Sequence, residues 1–126
     1  MPVCVAASGL VLAIATQAFT LAWTHSIEKV RWEEDYRVEG DRLRLTEARV
    51  RGHGAGMEPP PGSRLEGGVW HYVPALPPLP ELRLTHSHYT AGYQLCQLGT
   101  CEPLVRYAPR VAEGEPVIVT ACAGAP

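Results

Sequence analysis

The sequence predicts an all-β chain: a single β-sandwich or partly open barrel of about eight or nine short, mostly antiparallel strands, with little or no helix, over one domain spanning residues 1–126. Three observations carry this reading. Twelve Gly and twelve Pro among 126 residues cut the chain into short pieces. Apolar and polar residues alternate with a period of two in several of those pieces, and no helical period is sustained over ten residues. A hydrophobic fraction of 46% with 19% charged residues is the balance of a chain that buries a core.

The elements follow in order. Nothing from residue 1 to residue 23 carries charge, and "LVLAIAT" is strongly apolar. About 20 such residues would cross a bilayer, but Ser8-Gly9, Thr16-Gln17 and Thr20 break the run into strand-sized lengths. Residues 3–7 and 10–16 are therefore expected as two strands joined at Ser8-Gly9. No Lys or Arg precedes residue 29, so no secretory n-region is visible, and an export signal would have to lie upstream. Phe19, Leu21, Trp23, His25 and Ile27 then alternate with Thr20, Ala22, Thr24 and Ser26. The phase changes afterwards: Val30, Trp32, Glu34, Tyr36 and Val38 take even positions against Arg31, Glu33, Asp35 and Arg37. The inward face thus passes from odd to even within residues 27–30.

Next, Leu43 and Leu45, with Ala48 and Val50, mark a strand entered through Glu39-Gly40-Asp41, and a Gly- and Pro-rich loop occupies residues 52–68. "VWHYVP" reads as a short strand and "ALPPLP" as stiff extended chain, since each Pro fixes φ and removes a donor. "ELRLTHSHY", "GYQLCQL", "EPLVRY" and "PVIVTACA" complete the set of strands.

A net charge of −2, with both signs interspersed, offers no basic stripe for a phosphate backbone and speaks against nucleic acid. Four cysteines allow three pairings. Cys96 and Cys101 flank the short loop "QLGT", which would set two antiparallel strands side by side. Cys4 and Cys122 lie near the termini, which often meet in small domains. The pairs Cys96–Cys101 and Cys4–Cys122 are therefore expected, and with them an oxidising compartment. A zinc site fits this spacing poorly.

The phase argument also singles out residues for chemistry. Glu34 is the charged member of an otherwise apolar even face, and His25 the polar member of an apolar odd face. Buried ionisable groups are costly unless paired or used. A hairpin turning at Glu28-Lys29 would set Trp32 opposite His25 and Glu34 diagonal to it. A His–carboxylate pair would hold one tautomer and present the other ring nitrogen to a ligand; the competing reading is a bond that ties two strands together. Ser26 points away from His25 along a strand and lacks a nucleophile elbow, so it is no nucleophile for that base. In "GHGAGMEPPPG" the alternate glycines permit close backbone approach and an anion-binding concavity, with a plain surface turn as the alternative. His86 and His88 share a strand face without an evident third ligand.

"WTHSIEKVRWEEDYRV" followed by "EARVRGHGAGMEPP", and later "YQLCQLGTCEPL", resembles the bacterial family catalogued as domain of unknown function 1850, over roughly residues 19 to 105. The resemblance implies a small β-rich extracytoplasmic domain, associated with tripartite, periplasmic-binding-protein-dependent transporters of small organic acids. It implies no settled activity. The family's T-H-S-[IV]-E-K falls on Thr24, His25, Ser26, Ile27, Glu28 and Lys29, and its G-A-G-[ML] on Gly54, Ala55, Gly56 and Met57.

Together these readings predict a non-enzymatic binding or accessory module in the periplasm or otherwise outside the cytoplasm, with a membrane transporter component, its substrate-binding protein or a small organic anion as partner. Its contact site would comprise His25, Ser26, Glu28, Glu34 and the loop Gly54, Ala55, Gly56 and Met57. No catalytic residue, metal or cofactor is assigned. The alternative is a small hydrolase or metal-dependent enzyme using His25 with Glu28 or Glu34.

Overall fold

A computed structural model describes residues 2–24, 30–51, 61–87 and 92–122. They form two antiparallel sheets that face each other, and neither closes into a barrel. The smaller sheet has the order β2-β1-β11-β8, with β1 (Val3–Ala7), β2 (Leu10–Ile14), β8 (Leu82–Thr85) and β11 (Pro116–Ala121). The larger sheet has the order β10-β9-β3-β4-β5-β7-β6. Its strands are β3 (Ala18–Thr24), β4 (Arg31–Glu39), β5 (Arg42–Arg51), β6 (Arg64–Glu66), β7 (Val69–Tyr72), β9 (Gln94–Gln97) and β10 (Thr100–Pro103).

The all-β sandwich expected from the turn density is what forms. The described residues make eleven strands, and the three-residue β6 lies inside the loop expected over 52–68. One expected strand is corrected. "EPLVRY" is extended only through Pro103, and Leu104–Tyr107 is a short 3-10 helix. Pro103 sits at its N-cap with φ −55°, has no N–H to give a ladder, and so ends the strand where the helix begins.

The apolar N-terminal segment is a β-hairpin. Ser8 (φ 51°) and Gly9 (φ 78°) both take left-handed backbone, the geometry of a tight two-residue turn. Glu115, in the loop before β11, accepts from Ser8 N at 2.7 Å, from the Ser8 hydroxyl and from Ala112 N at 2.9 Å, which holds the turn against the body. Among the described residues no helix is long and apolar enough to cross a membrane.

Core side chains come from the alternating positions. Val3, Val5, Val117 and Val119 of the smaller sheet meet Phe19, Leu21, Tyr36, Leu43, Leu45 and Leu95 of the larger one. Both expected disulfides are formed. Cys4–Cys122 joins β1 to the residue after β11 (Cα–Cα 5.9 Å), and Cys96–Cys101 links directly opposed residues of the β9–β10 hairpin (Cα–Cα 3.9 Å).

Candidate functional site

The β3–β4 hairpin keeps the face predicted from its alternation but not the register. Odd residues of β3 share a side with even residues of β4: Phe19 opposes Tyr36, Leu21 opposes Glu34 and Trp23 opposes Trp32. The expectation that Trp32 would stand opposite His25 is thus off by two positions. Trp23 and Trp32 stack instead, with ring centroids 6.1 Å apart and planes 7° from parallel. An aromatic pair contributes about 0.5–1.5 kcal/mol beyond its burial, whereas Glu28-Lys29 offers no turn chemistry to hold the expected register. Glu34 is consequently diagonal to Trp23. Of the residues expected at the site, only Glu34 falls among those described; His25, Ser26, Glu28, Gly54, Ala55, Gly56 and Met57 lie outside them.

Glu34 is half-buried on the core-facing side and accepts a hydrogen bond from the Tyr36 hydroxyl at 2.8 Å. Burial, the Glu34 charge and that bond together push the Tyr36 phenol far above its ordinary range. Tyr72 and Tyr93 are raised in the same sense, by burial first and by Glu34 second. One carboxylate therefore acts electrostatically on three phenols.

Beside it, the end of β3 forms a notch. β9 begins at Gln94, opposite Ala22, so Trp23 and Thr24 run on beyond it with only β4 as a partner strand. The notch opens into a cleft of about 480 Å³, lined by Trp23, Tyr93, Val105, Arg31, Gln94 and His86 among others. The Tyr93 ring lies 5.5 Å from that of Trp23, and its carbonyl accepts from Leu104 N at 2.9 Å, which anchors its backbone. Arg31 donates from Nε to Glu33 at 3.0 Å and from a terminal nitrogen to Gln94 at 3.5 Å, leaving its side chain 38% exposed.

The outer face of β4 is more organised than a solvated strand. Arg49 of β5 stands opposite Glu33 and bonds Glu33 at 3.0 Å, Asp35 at 2.6 and 2.7 Å, and Glu47 at 3.1 Å. Glu47 also accepts from His71 Nδ1 at 2.8 Å, and Asp35 accepts from the Thr20 hydroxyl at 2.6 Å. For Glu33 and Asp35, desolvation raises the carboxyl pKa. The hydrogen bonds and charge of Arg49, helped by Arg31 at Glu33 and by Thr20 at Asp35, outweigh it, so both end below the usual range. Glu47 is lowered as well, by the His71 bond first and then Arg49 against partial desolvation. Sequence reasoning missed Arg49 because a bulge hides its register: Asp35 pairs Glu47 but Tyr36 pairs Leu45, leaving Thr46 as the extra residue. Its signal was the broken alternation between Leu45 and Ala48.

Among the described residues, no group of three His, Cys, Asp or Glu side chains is placed to hold a metal ion. A family model described as "Domain of unknown function (DUF1850)" matches residues 19–104. No curated protein and no solved structure matches the chain.

Proposed function

We propose, from the premise that the chain belongs to the DUF1850 family, that it is a non-enzymatic binding module acting outside the cytoplasm, with a small organic anion as ligand. The observation that carries this reading is the cleft at the end of β3, where an aromatic wall of Trp23 and Tyr93 stands beside the half-exposed Arg31 guanidinium. A planar guanidinium recognises carboxylates in two-point fashion, and apolar walls lower the dielectric around the pair. Arg31 is tethered on one side by Glu33, and its 38% exposed side chain leaves the cleft side for a ligand. Two disulfides among four cysteines support an oxidising compartment. The association implied by the chain's resemblance to this family supports a tripartite importer of organic acids as the system it serves.

Calorimetric titration of the chain with mono- and dicarboxylates tests the site. Saturable binding of at least one of them, weakened roughly tenfold in Arg31→Met, is the expected result. Absence of binding across the panel, or equal affinity in the variant, would overturn the reading. Co-purification with the membrane subunit of the neighbouring transporter tests the assignment to that system.

A further inference from the structure

The edges of the two sheets are not alike. Among the described residues the smaller sheet ends at β2 and β8, and the larger at β10 and β6. An unpaired edge offers its N–H and C=O groups to another strand, and charge or proline at the edge discourages that pairing. Three of these edges carry such residues. Arg83 lies on β8 with its ion-pair partner Glu81 just before it, Arg64 and Glu66 lie on β6, and Glu102 and Pro103 on β10. β2 carries none: it reads Leu-Val-Leu-Ala-Ile from Leu10 to Ile14, and its Val11 is 59% exposed.

The ladder fixes which groups of β2 are free. The Pro2 carbonyl accepts from Cys122 N at 3.0 Å, so even residues of β1 turn their backbone groups towards β11 and odd ones turn theirs towards β2. Val3, Val5 and Ala7 thereby engage Ile14, Leu12 and Leu10. Val11 and Ala13 direct N–H and C=O outward, where no described strand takes them. Their side chains are exposed, whereas Ile14 belongs to the core cluster. We infer that β2 pairs antiparallel with β2 of a second copy of the chain, about a two-fold axis at Leu12. Val11 of each chain then opposes Ala13 of the other, a larger aliphatic side chain meeting a smaller one, and both bond through both backbone groups. Charge selects this occupant. Any other described edge of the chain would set Arg, Glu or Pro against an uncharged strand, whereas β2 meets its own kind and the contact closes at two copies. One short strand pair lies at the small end of interface sizes, so the dimer is weak and reversible. No residue of β2 lines the cleft at Arg31, and the inference does not depend on that site.

Sedimentation velocity of the full chain, from micromolar to millimolar concentration, tests the pairing. A reversible monomer–dimer equilibrium is expected. Val11→Lys with Ala13→Lys sets like charges against each other across the axis and should weaken the dimer roughly tenfold. Val11→Glu with Ala13→Lys sets opposite charges across the same pairs and should keep the dimer within about threefold of the unmodified chain. Both positions are exposed, so both variants should fold. Should either fail to fold, Ala13→Pro removes an N–H that no bond within the chain uses, and should weaken the dimer roughly tenfold. A chain that stays monomeric throughout would overturn the inference, as would a dimer indifferent to these changes or one lost equally in both charged variants. A monomer retained on phosphatidylcholine vesicles would overturn it in favour of a membrane surface.

Discussion

The two disulfides differ most in the length of chain they close, and this yields a test in which ordering matters more than magnitude. Cys4–Cys122 bridges a separation of 118 residues, Cys96–Cys101 a separation of 5. A cross-link stabilises mainly by removing entropy from the unfolded chain, and that loss grows with the logarithm of loop length. The relation gives about 5 kcal/mol for the long loop and about 2 kcal/mol for the short one at room temperature. A domain of this size is stable by roughly 5–15 kcal/mol. Cys4→Ala with Cys122→Ala should therefore bring the protein near the edge of unfolding. Cys96→Ala with Cys101→Ala should leave it comfortably folded. In urea, a gap of about 3 kcal/mol at a slope of about 1–3 kcal/mol/M separates the two midpoints by at least about 1 M. Equilibrium unfolding followed by tryptophan fluorescence measures both. Coincident midpoints, or a lower one for the Cys96/Cys101 variant, would refute the chain-entropy account and point to packing at the hairpin as the larger contribution.

Three further outcomes follow from the same geometry. Arg49→Met leaves Glu33, Asp35 and Glu47 crowded without their shared cation, and should cost about 2 kcal/mol by urea titration at neutral pH. The folded-state pKa values of these carboxylates lie below their ordinary 4.5, 3.8 and 4.5, so their contribution is present above about pH 4.5 and lost as pH falls through the folded values. Unfolding midpoints across pH 7 to 3 should drop in that acid range, and less steeply in Arg49→Met. Gly9→Ala forces a methyl-bearing residue to φ +78° in the β1–β2 turn, where there is space but strained backbone; thermal unfolding should register a loss of about 1 kcal/mol.

What could be read from the residues alone was whatever depends on local alternation. Odd–even parity in 19–24 and 31–38 selected the inward face correctly, because side-chain direction along a strand is set by the backbone one residue at a time. The cysteine pairs were legible too, one from a short hairpin and one from the proximity of chain ends. Register was not. Trp32 meets Trp23 through a cross-strand stacking preference that no local signal at Glu28-Lys29 announces. Arg49 as the hub of three carboxylates was equally hidden, since it depends on where Thr46 is absorbed between Leu45 and Glu47. At the candidate site, Glu34 could be singled out as out of character on its face, but its neighbours Ala48, Trp70 and Tyr72 arrive from strands far along the chain. For the same reason "EPLVRY" misled, because its apolar spacing suits a strand while Pro103 ends one.

The extra residue at Thr46 has an effect beyond the pairing it interrupts. Its hydroxyl donates to the Asp35 carbonyl at 3.2 Å, which fills the gap in the ladder. A bulged strand also bends and twists more sharply than a regular one. Removing Thr46 would leave Leu45, Ala48 and Val50 on the face they now occupy, since 45, 47, 48, 49 and 50 would alternate without a break. Side-chain identities around Glu34 would be untouched while the curvature beneath them relaxed. The mould is thus cast by a residue that does not line it, and a single deletion would separate the shape of the surface from its chemistry.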